Sequence, residues 1–367
     1  MNACYPLSAI RDPLSANRYP LVPSGKGGKR IADGGSRKLN PKAGMPMKPF
    51  DLNGLKTYDL ESRPSKVFHE DLGQPLSADA TVAEWLDSLP RQLAGNSLRR
   101  VRDHLCRAQE EGHTVVAALG GHVIKTGCAP YLIDWIHQGL IKAVAMNGSA
   151  AIHDFELALA GKTSEDVSAN LHAGKFGMAR ETADAFAVAA LAGAENEAGL
   201  GAALGKYIEQ LNCPYADCSL VLAAYQAGIP CTIHVALGTD IVHMHPHVSG
   251  AALGEASLID FRLLCSVVAG MRQGIWMNLG SAVLMPEVLL KAVSVVRNFG
   301  HSLEGLVTVN VDKESRYRST VNVLNRPGSE GIELTGHHEI LLPLLHAAVA
   351  CKLAAQRPAP LALEHAA

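Results

Sequence analysis

The stretch from Thr114 to Gly148, TVVAALGGHVIKTGCAPYLIDWIHQGLIKAVAMNG, decides the fold. It begins with a short apolar run, Thr114 to Leu119, that ends in paired glycines. An amphipathic segment from about Pro130 to Gly139 follows, and then a second apolar run, Ile141 to Met146. Continuous apolar runs separated by helical segments are typical of parallel strands that helices cover on both faces. The stretch therefore predicts strand, helix and strand in one parallel sheet.

The same alternation continues to the end of the chain. Three further apolar runs, Cys231 to Leu237, Gly274 to Leu279 and Gly305 to Val311, predict strands. Helical periodicity or helix boundaries mark the segments near 80–112, 152–160, 179–193, 200–211, 217–227, 255–270, 286–299 and 338–353. We therefore predict an α/β fold with a doubly wound, mostly parallel sheet.

Composition limits the classes of function. The chain has 33 Lys+Arg against 35 Asp+Glu, 48% hydrophobic and 5% aromatic residues, which excludes a disordered chain and argues against a general nucleic-acid binder. The eight cysteines show no paired CxxC spacing, so we expect a reducing compartment. No long uncharged apolar segment and no secretory signal are evident. We expect a cytoplasmic protein that binds neither nucleic acid nor membrane.

The chain divides into four predicted parts. Residues 1–44 carry eight basic residues against two acidic ones and are rich in Gly, Pro and Ser, so we expect a disordered basic tail, with Met45 or Met47 as an alternative start. Residues 45–112 form an N-terminal extension with helices. Residues 113–356 form the ligand-binding domain, and residues 357–367 a flexible C-terminus.

Small and polar residues follow four of the predicted strands. They are Gly120-Gly121, Asn147-Gly148-Ser149, Gly238-Thr239-Asp240 and Gly280-Ser281. Ligands of doubly wound sheets bind at the carboxyl ends of the strands, and glycine there lets backbone N–H groups approach a phosphate or sugar. These strand ends are what a dinucleotide site requires.

The densest chemical cluster is GTDIVHMHPH, residues 238–247. If this segment is extended, His243, His245 and His247 point to one side and could bind zinc or iron with an open position for water. Alternatively, one of these histidines is a general base or substrate contact, and the others line the pocket or the surface. A purely structural role is the third possibility.

A second cluster runs from Asn147 to Glu156, where a strand end leads into a helix. His153 and Asp154 lie where a cofactor ribose or a cationic substrate would bind, whereas Asp154 and Glu156 could equally complement the helix dipole. The polar segment from Lys162 to Lys175 is long enough to be a lid.

The order of these motifs resembles the deoxyhypusine synthase family, colinearly from about residue 113 to 350. The matching segments are Gly120-Gly121 with Lys125-Thr126-Gly127, Asn147 to Glu156, Gly228-Ile229-Pro230, Gly238-x-Asp240-Ile241-Val242-x-x-His245, Gly274 to Ser281, and Leu341 to Leu345. No motif is diagnostic alone, but their order is.

The resemblance implies a Rossmann-like NAD-binding domain and a homotetramer with active sites at subunit interfaces. It places His245 on the family's active-site histidine, and we expect His245 and Asp240 to be catalytic. It further implies cofactor contacts at Gly121, Thr126, Asn147, Gly148, Ser149, Asp154, Gly238, Gly280, Ser281 and His337. We expect substrate contacts at His153, Glu156 and His243.

The chain departs from that family at one decisive point. The family forms an imine on a lysine within a Trp-Gly-Lys motif, and this chain has no such motif and no lysine between Lys313 and Lys352. Imine chemistry needs a primary amine, so deoxyhypusine synthesis is not expected. We expect hydride transfer to NAD from a polyamine-like amine or a related small substrate, with His245 as the base that takes the proton. The alternatives are a metal-dependent hydrolase or lyase that uses His243, His245 and His247, and a non-catalytic relative that binds NAD or a metabolite.

Overall fold

The computed structural model describes residues 48–356, which contain one six-stranded sheet. Its strands are β1 (Val115–Leu119), β2 (Ala143–Asn147), β3 (Cys231–His234), β4 (Ile275–Leu279), β5 (Val307–Asp312) and β6 (Glu330–Thr335). Every neighbouring pair is parallel, and the order across the sheet is β3-β2-β1-β4-β5-β6. The predicted α/β, doubly wound parallel fold is confirmed.

Two of the helices precede β1, one follows β6, and the others lie between strands along the chain. They are α1 (Val82–Ser88), α2 (Leu93–Glu111), α3 (Gly121–Lys125), α4 (Ala129–His137), α5 (Gly148–Ala160), α6 (Val167–Leu171), α7 (Arg180–Glu195), α8 (Leu200–Leu211), α9 (Leu220–Gln226), α10 (Gly250–Ala269), α11 (Leu284–Asn298) and α12 (His338–Gln356). Gly112 ends α2 in the left-handed conformation, as its position after the last apolar residue predicts. A π-helical segment, Ser319–Asn325, connects β5 to β6.

The strand order places a switch point in the middle of the sheet. The chain builds outward from β1 to β2 and β3, and then returns to the other side of β1 to build β4, β5 and β6. This is the order of dinucleotide-binding folds, in which the connections diverge between β1 and β4 and leave a crevice at the carboxyl ends of the strands. The fold therefore directs the search for a site to that edge.

Two apolar layers cover the sheet. Alternate residues of β1 face opposite sides, so Val115, Ala117 and Leu119 belong to one buried cluster and Val116 and Ala118 to the other. The five residues of β1 are fully buried. This accounts for the uninterrupted apolar run from which the strand was predicted.

The structure differs from the predicted elements in several places, of which three bear on the sheet and its edge. The edge strand β6 was not predicted, because only Ile332 and Leu334 of its six residues are buried. Strand β3 ends at His234 rather than Leu237. A short helix, α3, begins directly at Gly121, ahead of the helix predicted from about Pro130.

The described chain separates into two units at Pro64 and Ser65. In the first, residues 48–64, the regular structure is one 3-10 turn, Leu60–Ser62. In the second, α2 packs against β6 and α12, so residues 93–111 belong to the same unit as the sheet. The predicted basic tail 1–44, its alternative starts at Met45 and Met47, and the predicted flexible C-terminus 357–367 lie outside the described residues.

One helix of residues 48–356, α12, is long and apolar enough by length and composition to cross a membrane. This helix packs against α1 and α2 with Leu342 and Leu345 buried, and 28% of its apolar window is buried. The seven cysteines of the described residues are free thiols.

Candidate active site

A cavity of about 560 Å³ lies beside the first turns of α5, next to the carboxyl end of β2. Its walls come from the end of α3, from α5, from the polar segment between α5 and α7, and from residues 239–241 after β3. Six of its lining side chains are ionisable: Lys125, His153, Glu156, Lys162, Glu165 and Asp240. A concave site with convergent ionisable groups at this edge of the sheet is the default candidate for an active site.

His153 and Glu156 lie on one face of α5 because they are three residues apart. The hydroxyl of Thr163 lies between them, 2.7 Å from Nδ1 of His153 and 2.5 Å from Oε2 of Glu156. The other carboxylate oxygen of Glu156 accepts a hydrogen bond of 3.0 Å from the buried Thr182 hydroxyl. The carboxylate is thus fixed by two hydroxyls, and the imidazole by one of them.

The direction of these hydrogen bonds fixes the tautomer of His153. A hydroxyl has one proton, and Thr163 donates it to the Glu156 carboxylate, which can only accept. Thr163 must therefore accept from His153, which puts the imidazole proton on Nδ1 and a lone pair on Nε2. Burial, followed by the charge of Lys125, lowers the pKa of His153 to about 4. The imidazole is neutral at neutral pH, and the lone pair on Nε2 is available to accept a proton.

Gly121 lies against this imidazole. A Cβ at Gly121 would come within 2.5 Å of the Ser149 hydroxyl and 3.0 Å of Cδ2 of His153. The structure thus brings together three residues that the sequence analysis placed in one site, Gly121, Ser149 and His153.

Asp240 has the least satisfied carboxylate of the cavity. Its Oδ2 is shielded from solvent and makes no hydrogen bond within residues 48–356. Burial raises the pKa of Asp240, and nearby His243 offsets part of that rise. The carboxylate lies against Gly148, the first residue of α5, so closely that a Cβ there would collide with it. Asp240 is therefore held at the positive end of α5, with one oxygen still to be satisfied.

The histidine segment is not extended. Residues Ile241–Met244 form a 3-10 turn, and Nδ1 of His243 accepts from the backbone N–H groups of Gly238 and Asp240 at 3.1 and 3.2 Å. The condition for the three-histidine metal site, an extended segment, is therefore not met, because these N–H groups fold the chain back around His243.

The turn sends the three histidines to different partners. Nε2 of His245 lies 2.9 Å from the carbonyl oxygen of Gly177, and Nε2 of His247 lies 2.9 Å from Asp184. Residues 48–356 contain no group of three His, Cys, Asp or Glu side chains placed to hold a metal ion. The ring centroids of His245 and His247 lie 5.8 Å apart, but His243 is engaged by the backbone of its own turn, so the three histidines do not converge on one metal position. His245 is not a lining residue of the cavity.

Asp154, expected to contact a cofactor, is fully buried elsewhere. Its carboxylate accepts hydrogen bonds from the Ser219 hydroxyl at 2.5 Å and from the backbone N–H groups of Leu220 and Val221 at 2.7 and 3.3 Å. Burial raises its pKa to about 6, and these hydrogen bonds oppose the rise. Asp154 therefore anchors the first turn of α9 and has no free oxygen for a ribose.

Three more expected cofactor contacts have their side chains engaged within the protein. Thr126 Oγ1 donates to the carbonyl of His122, Asn147 Oδ1 caps α5, and Ser281 Oγ accepts from Met285 N–H. Two others, Gly238 and His337, are exposed at the surface.

The β1 and β4 ends meet at the switch point. A Cβ on Gly120 would collide with the carbonyl oxygen of Gly280. The residue Gly280 has a φ of +59°. His338, at the start of α12, is almost fully buried beside Gly280. Its Nε2 lies 3.0 Å from the carbonyl oxygen of Val311. Its Nδ1 is buried and makes no hydrogen bond within residues 48–356. Only one of the two ring nitrogens is therefore satisfied by the protein.

Five polar residues of the cavity are absent from the predicted site residues: Lys125, Lys162, Thr163, Ser164 and Glu165. The signal that could have found four of them was the polar composition of the segment after α5, which was interpreted as a lid. Glu165 Oε2 accepts a hydrogen bond of 2.8 Å from Gly177 N–H, which closes this segment on itself.

Comparisons with known proteins give weak likenesses. No family model matches the chain, and no curated protein matches it. A solved structure described as an LOR/SDH protein from Methanococcus maripaludis S2 is 18% identical with a TM-score of 0.47, over 79% of this chain and 75% of that one. The complex of AgrE with ornithine and NAD⁺ is 16% identical with a TM-score of 0.49, over 71% of this chain and 34% of that one.

A third structure, described as a deoxyhypusine synthase from Entamoeba histolytica, is 11% identical with a TM-score of 0.45, over 76% of this chain and 96% of that one. The chain spans about a third of the length of AgrE. At these identities the likenesses concern the fold alone, and no specific family is established.

Proposed function

We propose that this chain is an enzyme that oxidises a small amine by hydride transfer to a nicotinamide dinucleotide, with His153 as the general base. The observation that carries this proposal is the linked set of His153, Thr163 and Glu156 in the wall of the cavity. A neutral imidazole whose Nδ1 proton is held by a hydroxyl and a carboxylate presents Nε2 as a proton acceptor. This role replaces the one that the sequence analysis gave to His245.

The fold class implies a dinucleotide, and two features of the β1/β4 edge fit one. Gly120 and Gly280 bring two strand ends into backbone contact at the switch point. The buried Nδ1 of His338 lacks a hydrogen-bond donor within residues 48–356, and a ribose hydroxyl could supply it. A bound nicotinamide ring would supply the acceptor for the hydride.

The chain's own residues account for the other requirements. Asp240 would bind the substrate ammonium through its unpartnered Oδ2, which also lowers the cost of burying that carboxylate. Nε2 of His153 would take a proton from the ammonium nitrogen, whose lone pair then forms the iminium double bond as the hydride leaves the adjacent carbon. Thr163 and Glu156 would stabilise the imidazolium that results.

The test is a screen of aliphatic amines, spermidine and α-amino acids for formation of reduced nicotinamide. We expect turnover with at least one class, and a loss of about a hundredfold or more in His153→Gln. His301→Gln, which changes an exposed histidine outside the cavity, is the matched control. Turnover that survives His153→Gln would remove His153 from the mechanism.

A protein that binds NAD but reduces none with any substrate would instead be the non-catalytic relative. Cytoplasmic location and a homotetramer with interface active sites stay predictions, and fractionation and native mass spectrometry test them.

A further inference from the structure

The cavity carries charges of both signs, and they differ in what they already bind. Lys125 and Lys162 line it, and the structure shows neither a hydrogen bond nor an ion pair for either ammonium within residues 48–356. Among the carboxylates, Glu156 accepts from two hydroxyls and Glu165 from Gly177 N–H. Of the carboxylates that line the cavity, Asp240 alone keeps a buried oxygen without a hydrogen-bond partner within residues 48–356.

These free charges do not suit a substrate that is only cationic. A polyamine would bring two or more positive charges to a wall that already holds two unpaired ammonium groups, and only one carboxylate oxygen there is buried and uncommitted. Like charges held close together repel, and the repulsion is stronger where water is partly excluded.

The uncharged part of the wall also constrains the substrate. Ile152, Val167, Phe176, Ala179 and Ile241 line the same cavity. Its volume of about 560 Å³ falls within the range of small-molecule sites. A short aliphatic chain would bury apolar surface there.

We propose that the substrate is a zwitterionic α-amino acid with an aliphatic side chain, whose ammonium binds Asp240 and whose carboxylate binds Lys125 and Lys162. This inference rests on the proposed function, because it names the substrate class of the same site. Each free charge of the cavity then has a partner of opposite sign. The nitrogen that loses its proton to His153 is the one that Asp240 holds.

The test compares three probes that share one alkyl chain: L-norleucine, pentylamine, which lacks the carboxylate, and hexanoate, which lacks the amine. Spermidine serves as the polycation. Binding is measured by titration calorimetry on the full chain, both without and with saturating NAD. We expect norleucine to bind at least about tenfold more tightly than any other probe, since each charged hydrogen bond contributes about that factor or more.

Charge variants locate the two ends of the probe. Lys125→Gln and Lys162→Gln should each weaken the binding of norleucine about tenfold and leave the binding of pentylamine unchanged. Asp240→Asn should weaken the binding of both norleucine and pentylamine and leave the binding of hexanoate unchanged. The matched control is Lys142→Gln, an exposed lysine at the amino end of β2. Circular dichroism confirms that each variant is folded.

The proposal is overturned if pentylamine, hexanoate or spermidine binds as tightly as norleucine, if no probe binds, or if the lysine variants behave like the control. These readouts need no turnover. If norleucine binds as expected and no reduced nicotinamide forms with any amino acid, the substrate class stands and the proposed hydride transfer fails.

Discussion

Thr163 Oγ1 lies 2.7 Å from Nδ1 of His153, so a hydroxyl from the segment after α5 orients an imidazole on that helix. The same hydroxyl donates to Glu156, one turn along α5 from His153. Histidine tautomers in active sites are commonly set by the partner of the nitrogen that does no chemistry. Here that partner comes from a different element than the histidine, so the polar segment completes the site.

Replacement of Thr163 separates its hydroxyl from its shape. Thr163→Val removes the acceptor for His153 Nδ1 and leaves Glu156 with one hydroxyl, so we expect kcat/KM to fall about tenfold to a hundredfold. Thr163→Ser restores the hydroxyl and should recover most of the loss. Steady-state kinetics with the best substrate of the screen measure both variants. Equal rates in Val and Ser would show that Thr163 contributes only packing.

The protonation of His153 gives a prediction in pH. Burial and Lys125 lower its pKa from 6.5 to about 4, so the ring should stay neutral through the range in which exposed histidines titrate. The unfolded chain binds this proton below about pH 6.5 and the folded chain only below about pH 4, so His153 makes stability rise with pH between those values. NMR titration of the ring protons, assigned with His153→Gln, measures the value. A midpoint near 6.5 would contradict the buried, proton-accepting state.

Asp260 joins three elements through one carboxylate. It lies on α10, is fully buried, and accepts from Gly201 N–H of α8 and Ile233 N–H of β3 at 2.9 and 2.7 Å. Its Oδ1 makes no hydrogen bond within the described chain, and burial raises its pKa to about 7 despite the N–H donors. Between pH 3.8, the pKa in the unfolded chain, and about pH 7, the pKa in the folded chain, the folded protein binds a proton that the unfolded chain has lost. The stability that this proton contributes is lost as the pH rises through that window.

Asp260→Asn removes that titration and keeps an oxygen for both N–H donors. We expect the variant to gain stability relative to the parent, on the order of 1 kcal/mol, between about pH 5 and about pH 8. Urea unfolding of the variant and of the parent at these two pH values measures the difference in their free energies of unfolding. A relative stability that does not change with pH would mean that Asp260 is charged throughout.

The sequence predicts the strands better than the site. Strand β1 is readable because both faces are buried, whereas the edge strand β6 exposes Glu330 and Gly331 and gives no such run. His153 and Glu156 could be paired from their spacing on one helix. Their link through Thr163 could not, because it depends on how the segment after α5 folds back over the helix.

The histidine segment shows the opposite failure. Alternate histidines predict a common face only if the backbone is extended, and nothing local in the sequence opposes that reading. The 3-10 turn arises because Gly238, with a φ of +86°, and Asp240 direct their N–H groups onto His243. A side chain that accepts from the backbone of its own turn can override an alternating pattern.

The contact between Gly148 and Asp240 supplies the last prediction. A Cβ at Gly148 would collide with the Asp240 carboxylate. Gly148→Ala should therefore displace that carboxylate and weaken the binding of pentylamine about tenfold. In an Asp240→Ala background the same change has no carboxylate to meet, and alanine favours the helix over glycine by about 1 kcal/mol. Gly148→Ala should therefore be harmless or stabilising there. The double-mutant cycle, measured by calorimetry and thermal unfolding, should be strongly non-additive, because the two residues are in direct contact. Additive effects would show that Asp240 does not rest on the first turn of α5.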